Sequence, residues 1–155
     1  MPDIFQEDFR DFLKALNDNE VKYIMVGGLA VVLHGHARVT GDMDIWVECS
    51  AENYKKLVKA FQQFHMPVFD MTLEKFLQVN ESDVFSFGRN PVGIDIMTAV
   101  KGLNFDEAYK LSLIFNDEGL PIRLIHINQL IEAKKAAGRL KDLYDIQQLQ
   151  KRKKE

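Results

Sequence analysis

The stretch YIMVGGLAVVLHGHARVTGDMDIWV, residues 23–47, sets the frame for the rest of the chain. Val21–Val26 reads as a strand, and Gly27-Gly28 ends it. Leu29–His34 follows as a short helix stopped near Gly35, and Asp42–Glu48 is a second strand. On that strand the period of two puts Asp42, Asp44 and Trp46 on one face and Met43, Ile45 and Val47 on the other. The second set is apolar and belongs to the core. Two carboxylates are then neighbours on the opposite face, where they repel unless protonated, solvated or bridged by a cation.

Working outward, residues 4–17 place Ile4, Phe5, Phe9, Phe12, Leu13 and Leu16 at helical spacing, and Asn17-Asp18-Asn19 breaks the run. Ser50 is a natural N-cap for a helix over residues 51–64 that turns Tyr54, Leu57, Val58, Phe61 and Phe64 inward. Thr72–Val79 suits another short helix. Val84–Gly88 and Gly93–Ala99 form a hairpin turned at Asn90-Pro91. Asp106–Lys110 is helical, and Leu111–Phe115 and Pro121–Ile125 are apolar runs joined by a polar turn. Residues 127–150 read as helix with a break at Gly138, and the second segment carries Leu140, Leu143, Ile146 and Leu149 on one face. Neither an internal repeat nor a linker is visible. The pattern predicts one α+β domain over residues 1–155, a mixed β-sheet core with flanking helices and C-terminal helices at about 127–150.

Composition narrows the function classes. A chain of 155 residues with 46% hydrophobic and 28% charged residues can bury a full core and is not a disordered segment. Its net charge of −3 argues against a protein that coats nucleic acid electrostatically. The basic run Lys151-Arg152-Lys153-Lys154 reads as a solvated helix end, with an RNA-contacting tail as its other reading. A lone cysteine, Cys49, excludes an internal disulfide and a cysteine zinc site, and its place after an apolar run suggests partial burial. The sequence has no membrane-spanning run, and MPDIFQEDFRDF lacks the regions of a signal peptide, so a cytoplasmic location is expected.

The candidate chemistry gathers on acids and glycines. A D-x-D pair alone is common on exposed strands. Asp95 adds weight, because it interrupts the apolar strand GIDIMTAV between Ile94 and Ile96. A carboxylate there costs several kcal/mol unless it is paired or bound to metal, roughly as for other buried charges. Its structural alternative is a salt bridge to Arg38 or Arg89. Three strand-borne carboxylates can hold two Mg²⁺ ions through a shared aspartate, with phosphates and waters completing the shells. Gly27-Gly28, where a strand hands over to a helix, lets backbone N–H groups approach phosphate, or is merely a tight turn. His34 and His36 lack a third ligand and read as structural. Trp46 packs or stacks a base, packing being the simpler reading, and Phe85 and Phe87 belong to the core.

VGGLAVVLHGHARVTGDMDIWV resembles the DNA polymerase β-like nucleotidyltransferase superfamily. Within it the likeness is to the small bacterial branch with a GG-x-A…G…R-x-T-x-D-x-D pattern, which includes toxin-type enzymes. NPVGIDIMTAVKGLNFDEAY resembles that branch's third-carboxylate strand, and LIEAKKAAGRLKDLYDIQQL its C-terminal Lys…Arg-x-x-Asp-x-x-Asp helix, so the likeness spans nearly the whole chain. It implies that Asp42, Asp44 and Asp95 bind metal, Mg²⁺ or Mn²⁺, and are catalytic, with Asp95 the general base. Gly27, Gly28, Arg38, Thr40 and Lys134 would bind the nucleotide, while Arg139, Asp142 and Asp145 either brace the helix or touch substrate. The implied reaction moves an NMP from an NTP donor to an acceptor hydroxyl on RNA such as tRNA, on protein or on a small molecule, and releases pyrophosphate. A cognate antitoxin is an implied partner. The alternative is a non-catalytic nucleotide-binding module or antitoxin-like partner with the same fold. One departure is the Gly-Gly pair, which replaces the commoner Gly-Ser and so lacks a serine hydroxyl for phosphate.

Overall fold

The computed structural model describes residues 7–36, 41–78, 84–89 and 92–154. Arg38, Thr40 and the Asn90-Pro91 turn lie outside the described residues, as does the side chain of Arg89.

The elements follow the periodicities closely. In order they are α1 (Glu7–Asp18), β1 (Tyr23–Val26), α2 (Gly27–Leu33), β2 (Asp42–Val47), α3 (Ala51–Gln63), α4 (Leu73–Leu77) and β3 (Val84–Arg89). Then come β4 (Val92–Met97), α5 (Phe105–Leu111), β5 (Leu113–Asp117), β6 (Leu120–Leu124), α6 (Ile127–Ala137) and α7 (Leu140–Lys154). Ser50 caps α3 by accepting from the Asn53 N–H at 3.1 Å, and Thr72 caps α4 by accepting from the Lys75 N–H. Gly138, left-handed at φ 68°, separates α6 from α7. The two glycines after β1 are not a spacer before the helix. Gly27 is itself the first residue of α2.

The strands make one six-stranded mixed sheet in the order β3-β4-β2-β1-β6-β5. β2 runs parallel to β4 and antiparallel to β1, and β1 is parallel to β6, while β3–β4 and β5–β6 are antiparallel hairpins. Met43, Ile45 and Val47 are fully buried on one face, as their alternation predicts. α1 and α3 form an aromatic layer there. Phe61 meets Phe12 edge-on at 5.5 Å and Phe87 of β3 at 4.8 Å. Such pairs contribute about 0.5–1.5 kcal/mol each beyond the area they bury. Asn53, buried in α3, donates to the carbonyls of Lys22 (3.1 Å) and Glu48 (2.9 Å) and accepts from the Lys22 N–H (2.8 Å). It thereby ties α3 to the backbone just outside β1 and β2, where the Glu48 N–H also donates to the Lys22 carbonyl at 3.1 Å. Cys49 is partly buried, its thiol donating to the Phe76 carbonyl at 3.3 Å.

One expected face is wrong. In α7, Leu140 and Leu143 are 86% and 53% exposed, whereas Asp142 and Asp145 are buried with Ile146 and Leu149. Spacing of three slews a stripe by roughly 60° per step on a 3.6-residue helix, so four leucine-like residues at that spacing cannot share a face. Asp142, Asp145, Ile146 and Leu149 follow the i, i+3, i+4, i+7 pattern instead.

No described helix is long and apolar enough to cross a membrane.

Candidate active site

On the face opposite α1 and α3, strand register arranges the side chains of β2, β4 and β3 in rows. Asp44 stands beside Asp95, which stands beside Ser86. The row on one side of it is Asp42–Gly93–Gly88, nearly bare of side chains. The row on the other side is Trp46–Met97–Val84. All three predicted carboxylates thus come from neighbouring strands and one face, though β2 and β4 are far apart in sequence.

Their electrostatics confirm the crowding. Burial raises the Asp44 carboxyl to about 7, reinforced by the charge of Asp95, a hydrogen bond between the two carboxyls and the charge of Asp42, while Lys134 pulls the other way. Asp44 also packs onto the backbone. A Cβ on Gly27 would stand 2.8 Å from Asp44 Cγ and closer still to its Oδ2, and Gly27 has φ +71° besides. Glycine at position 27 is therefore needed to seat Asp44, a reason separate from any approach to phosphate. Gly93 has the same relation to Asp42, whose carboxylate lies over the glycine.

α6 and α7 supply the opposing wall. A cleft of about 300 Å³ runs between Gly27 and Asp44 on one side and Leu130, Ala133 and Lys134 of α6 on the other, with Arg139 and Asp142 at its polar end. Met97, Ala99 and Val100 make an apolar flank. Two larger hollows, of about 670 and 440 Å³, contain none of the three aspartates.

Lys134 is buried between two acids of α7, its Nζ 3.3 Å from Asp142 Oδ1 and 3.2 Å from Asp145 Oδ2. Arg139 clamps Asp142 with Nε at 2.6 Å but remains 58% exposed at the cleft. Burial would push Asp142 up, yet hydrogen bonds from the Arg139 side chain and backbone, with the charge of Lys134, hold it below the usual carboxylate range. His36 Nε2 lies 3.9 Å from Asp145 Oδ1, and its ring meets Tyr144 edge-on at 5.5 Å. Lys134 therefore lines the cleft, but as part of a braced ionic cluster. Of the two cations, Arg139 is the one presented to solvent.

Other sequence candidates fall on the structural side. Trp46 is 1% exposed and packs edge-on against Phe105 at 5.2 Å, so packing, not base stacking, is its role. His34 donates from Nε2 to the Ile125 carbonyl at 2.7 Å, and burial lowers its pKa. Gly93 was not singled out by the sequence reading. Its signal is the G-x-D of β4 lying beside the D-x-D of β2, visible only once the strands are paired.

The donor set suits a hard divalent cation, since carboxylate oxygens on one face are what Mg²⁺ takes. Among the described residues no three His, Cys, Asp or Glu side chains close round a single point. Mg²⁺ does not require such a cage, because it is commonly held by one or two carboxylates with waters and substrate phosphates. The mutual crowding of Asp44 and Asp95 is the state that a cation would relieve.

No protein-family model and no curated protein matches this chain. Solved structures do resemble it. A candidate nucleotidyltransferase from Thermotoga maritima superposes with TM-score 0.63 at 14% identity, over 90% of this chain and 88% of its own. A lincosamide antibiotic adenylyltransferase with bound lincomycin gives TM-score 0.61 at 17% identity, over 94% and 96%. An antigenic nucleotidyltransferase-like protein from Paracoccidioides brasiliensis gives 0.54 at 15%, over 90% and 72%. The chain has the nucleotidyltransferase fold.

Proposed function

We propose that this protein is a metal-dependent nucleotidyltransferase that moves an NMP from an NTP to an acceptor hydroxyl. The observation that carries the reading is Asp44, paired with Asp95 and with Asp42 nearby, lining one cleft opposite Lys134 and Arg139. The fold of the solved relatives supports it.

Asp42, Asp44 and Asp95 would hold Mg²⁺ or Mn²⁺, two ions if Asp42 and Asp44 are shared. The bound cation supplies charge neutralisation at the phosphates and lowers the pKa of a coordinated hydroxyl. Gly27 and Gly28 open α2, whose first turn leaves backbone N–H groups for the triphosphate. Arg139 meets the phosphates from the other wall, with Lys134 behind it. Arg38 and Thr40 belong to the same phosphate-binding set. Asp95 accepts the acceptor's proton as the acceptor oxygen bonds to the α-phosphorus. The bond from the α-phosphorus to the bridging oxygen breaks, and pyrophosphate leaves with the electron pair.

The acceptor is an RNA, a protein or a small molecule of the kind the lincosamide enzyme modifies, and a toxin–antitoxin setting would make a cognate antitoxin the partner. Pyrophosphate release with each NTP, Mg²⁺ and a panel of these acceptors tests the reading. Asp44→Ala and Asp95→Ala should each cut release on the order of 10³-fold or more while the fold persists. Unchanged release in both variants sinks the proposal. Mg²⁺-dependent NTP binding without release to any acceptor would favour the non-catalytic binding module.

A further inference from the structure

Gly93 is the second residue of β4, inside a strand where glycine has a cost and no side chain to pack. A strand-interior glycine often marks a place that something else must approach closely. Here the approaching group is visible. β2 and β4 pair in parallel with Asp42 opposite Gly93, and a Cβ on Gly93 would stand 3.0 Å from Asp42 Cγ and closer to Oδ1. The backbone does not demand glycine, since Gly93 is absent from the positive-φ residues. Gly41, by contrast, has open space among the described residues where its Cβ would be, so close approach is not general to glycines near this strand. The next position across the sheet is Gly88, so the row beyond Asp42 carries no side chain.

We infer that Gly93 is a positioning residue for the cation site: the space of its missing side chain is the seat that keeps the Asp42 carboxylate over β4, on the side of Asp44 and Asp95. The inference rests on the proposed reading that Asp42 binds the cation. Asp42 is exposed, so a methyl group at position 93 would rotate its carboxylate away without breaking the core. Gly93→Ala should then be at least as heat-stable as the unsubstituted chain, because alanine restricts the unfolded chain more than glycine does.

Mn²⁺ binding measured by electron paramagnetic resonance, in the presence of an NTP, and thermal unfolding without metal together test it. The expected result is that Gly93→Ala unfolds no earlier than the unsubstituted chain yet binds Mn²⁺ at least tenfold more weakly. Asp42→Ala should lose as much, and Gly93→Ala added to Asp42→Ala should lose nothing further. Unchanged Mn²⁺ affinity in Gly93→Ala overturns the inference. Should Gly93→Ala fail to fold, folding of the Gly93→Ala/Asp42→Ala double variant supports the seat, and failure of both overturns it. Should the unsubstituted chain bind no Mn²⁺, the proposed function falls, and the seat is judged by unfolding alone. A larger gain in melting temperature from Gly93→Ala in the Asp42→Ala background than in the unsubstituted one supports it, and equal gains overturn it.

Discussion

Asp44 enters the folded state at a cost that depends on pH. Its carboxyl titrates near 3.8 when unperturbed and at about 7 in the folded chain, burial being the first cause and Asp95 the second. Between those values the folded chain keeps a proton that the unfolded chain has released, so stability falls as pH rises through this window. Asp44→Asn removes the charge and keeps a donor toward Asp95. Without metal it should gain a few kcal/mol over the unsubstituted chain at pH 8, on the scale of about 1.4 kcal/mol per pKa unit, and little below pH 4. Denaturant melts of both proteins across pH check this, and a gain of equal size at every pH would refute the electrostatic account. Mg²⁺ should shrink the difference at pH 8 by stabilising the ionised pair. A variant more stable and at the same time inactive is the mark of a residue kept for chemistry. The D-x-D motif and the interrupting Asp95 were legible in the sequence because strand alternation is local. The glycine seats under Asp44 and Asp42 were not, because they exist only across strands.

Among the elements, α7 departs most from the sequence reading. Its apolar residues invited a leucine face, yet the helix turns Asp142 and Asp145 inward to meet Lys134. Periodicity sees only hydrophobicity, and an ionic cluster buried between two helices looks like a solvated face until the helices are packed together. Removing one member of a buried cluster leaves the others uncompensated, which typically costs about 3–5 kcal/mol. Asp145→Ala should therefore destabilise by that order in chemical denaturation, whereas Leu140→Ser, at an 86% exposed position, should stay within about 0.5 kcal/mol. The opposite ranking would mean that α7 packs through its leucines. α3 shows the reverse case. Its cap and its inward Leu57 and Phe61 were readable from residues 50–64 alone, because a side-chain cap and a 3.6-residue stripe need no partner to be recognised.

At the scale of the whole molecule, the proposed nucleotide would link to the fold through the cleft between the sheet and α6 and α7. A magnesium–nucleotide complex that bridges the two walls must raise the unfolding temperature. At a hundredfold excess over Kd the gain is about 2.7 kcal/mol. For a domain of this length each kcal/mol moves the midpoint by roughly 2–4 °C. Differential scanning fluorimetry with each NTP should show a rise of this order that disappears when Mg²⁺ is chelated; no rise with any NTP would count against the site. The order β3-β4-β2-β1-β6-β5 was not legible, since the parallel β2–β4 and β1–β6 pairings depend on which strands meet and not on what each contains. The α+β character was, because strand and helix periods alternate clearly along the chain. The two-walled cleft also imposes a timetable during translation. Asp42, Asp44 and Asp95 leave the ribosome first, and Lys134 and Arg139 follow only with α6 and the start of α7. A nascent chain that has not yet released α6 and α7 therefore carries the acids without the facing Lys134 and Arg139, and on the proposed reading it should not hold a nucleotide between two walls.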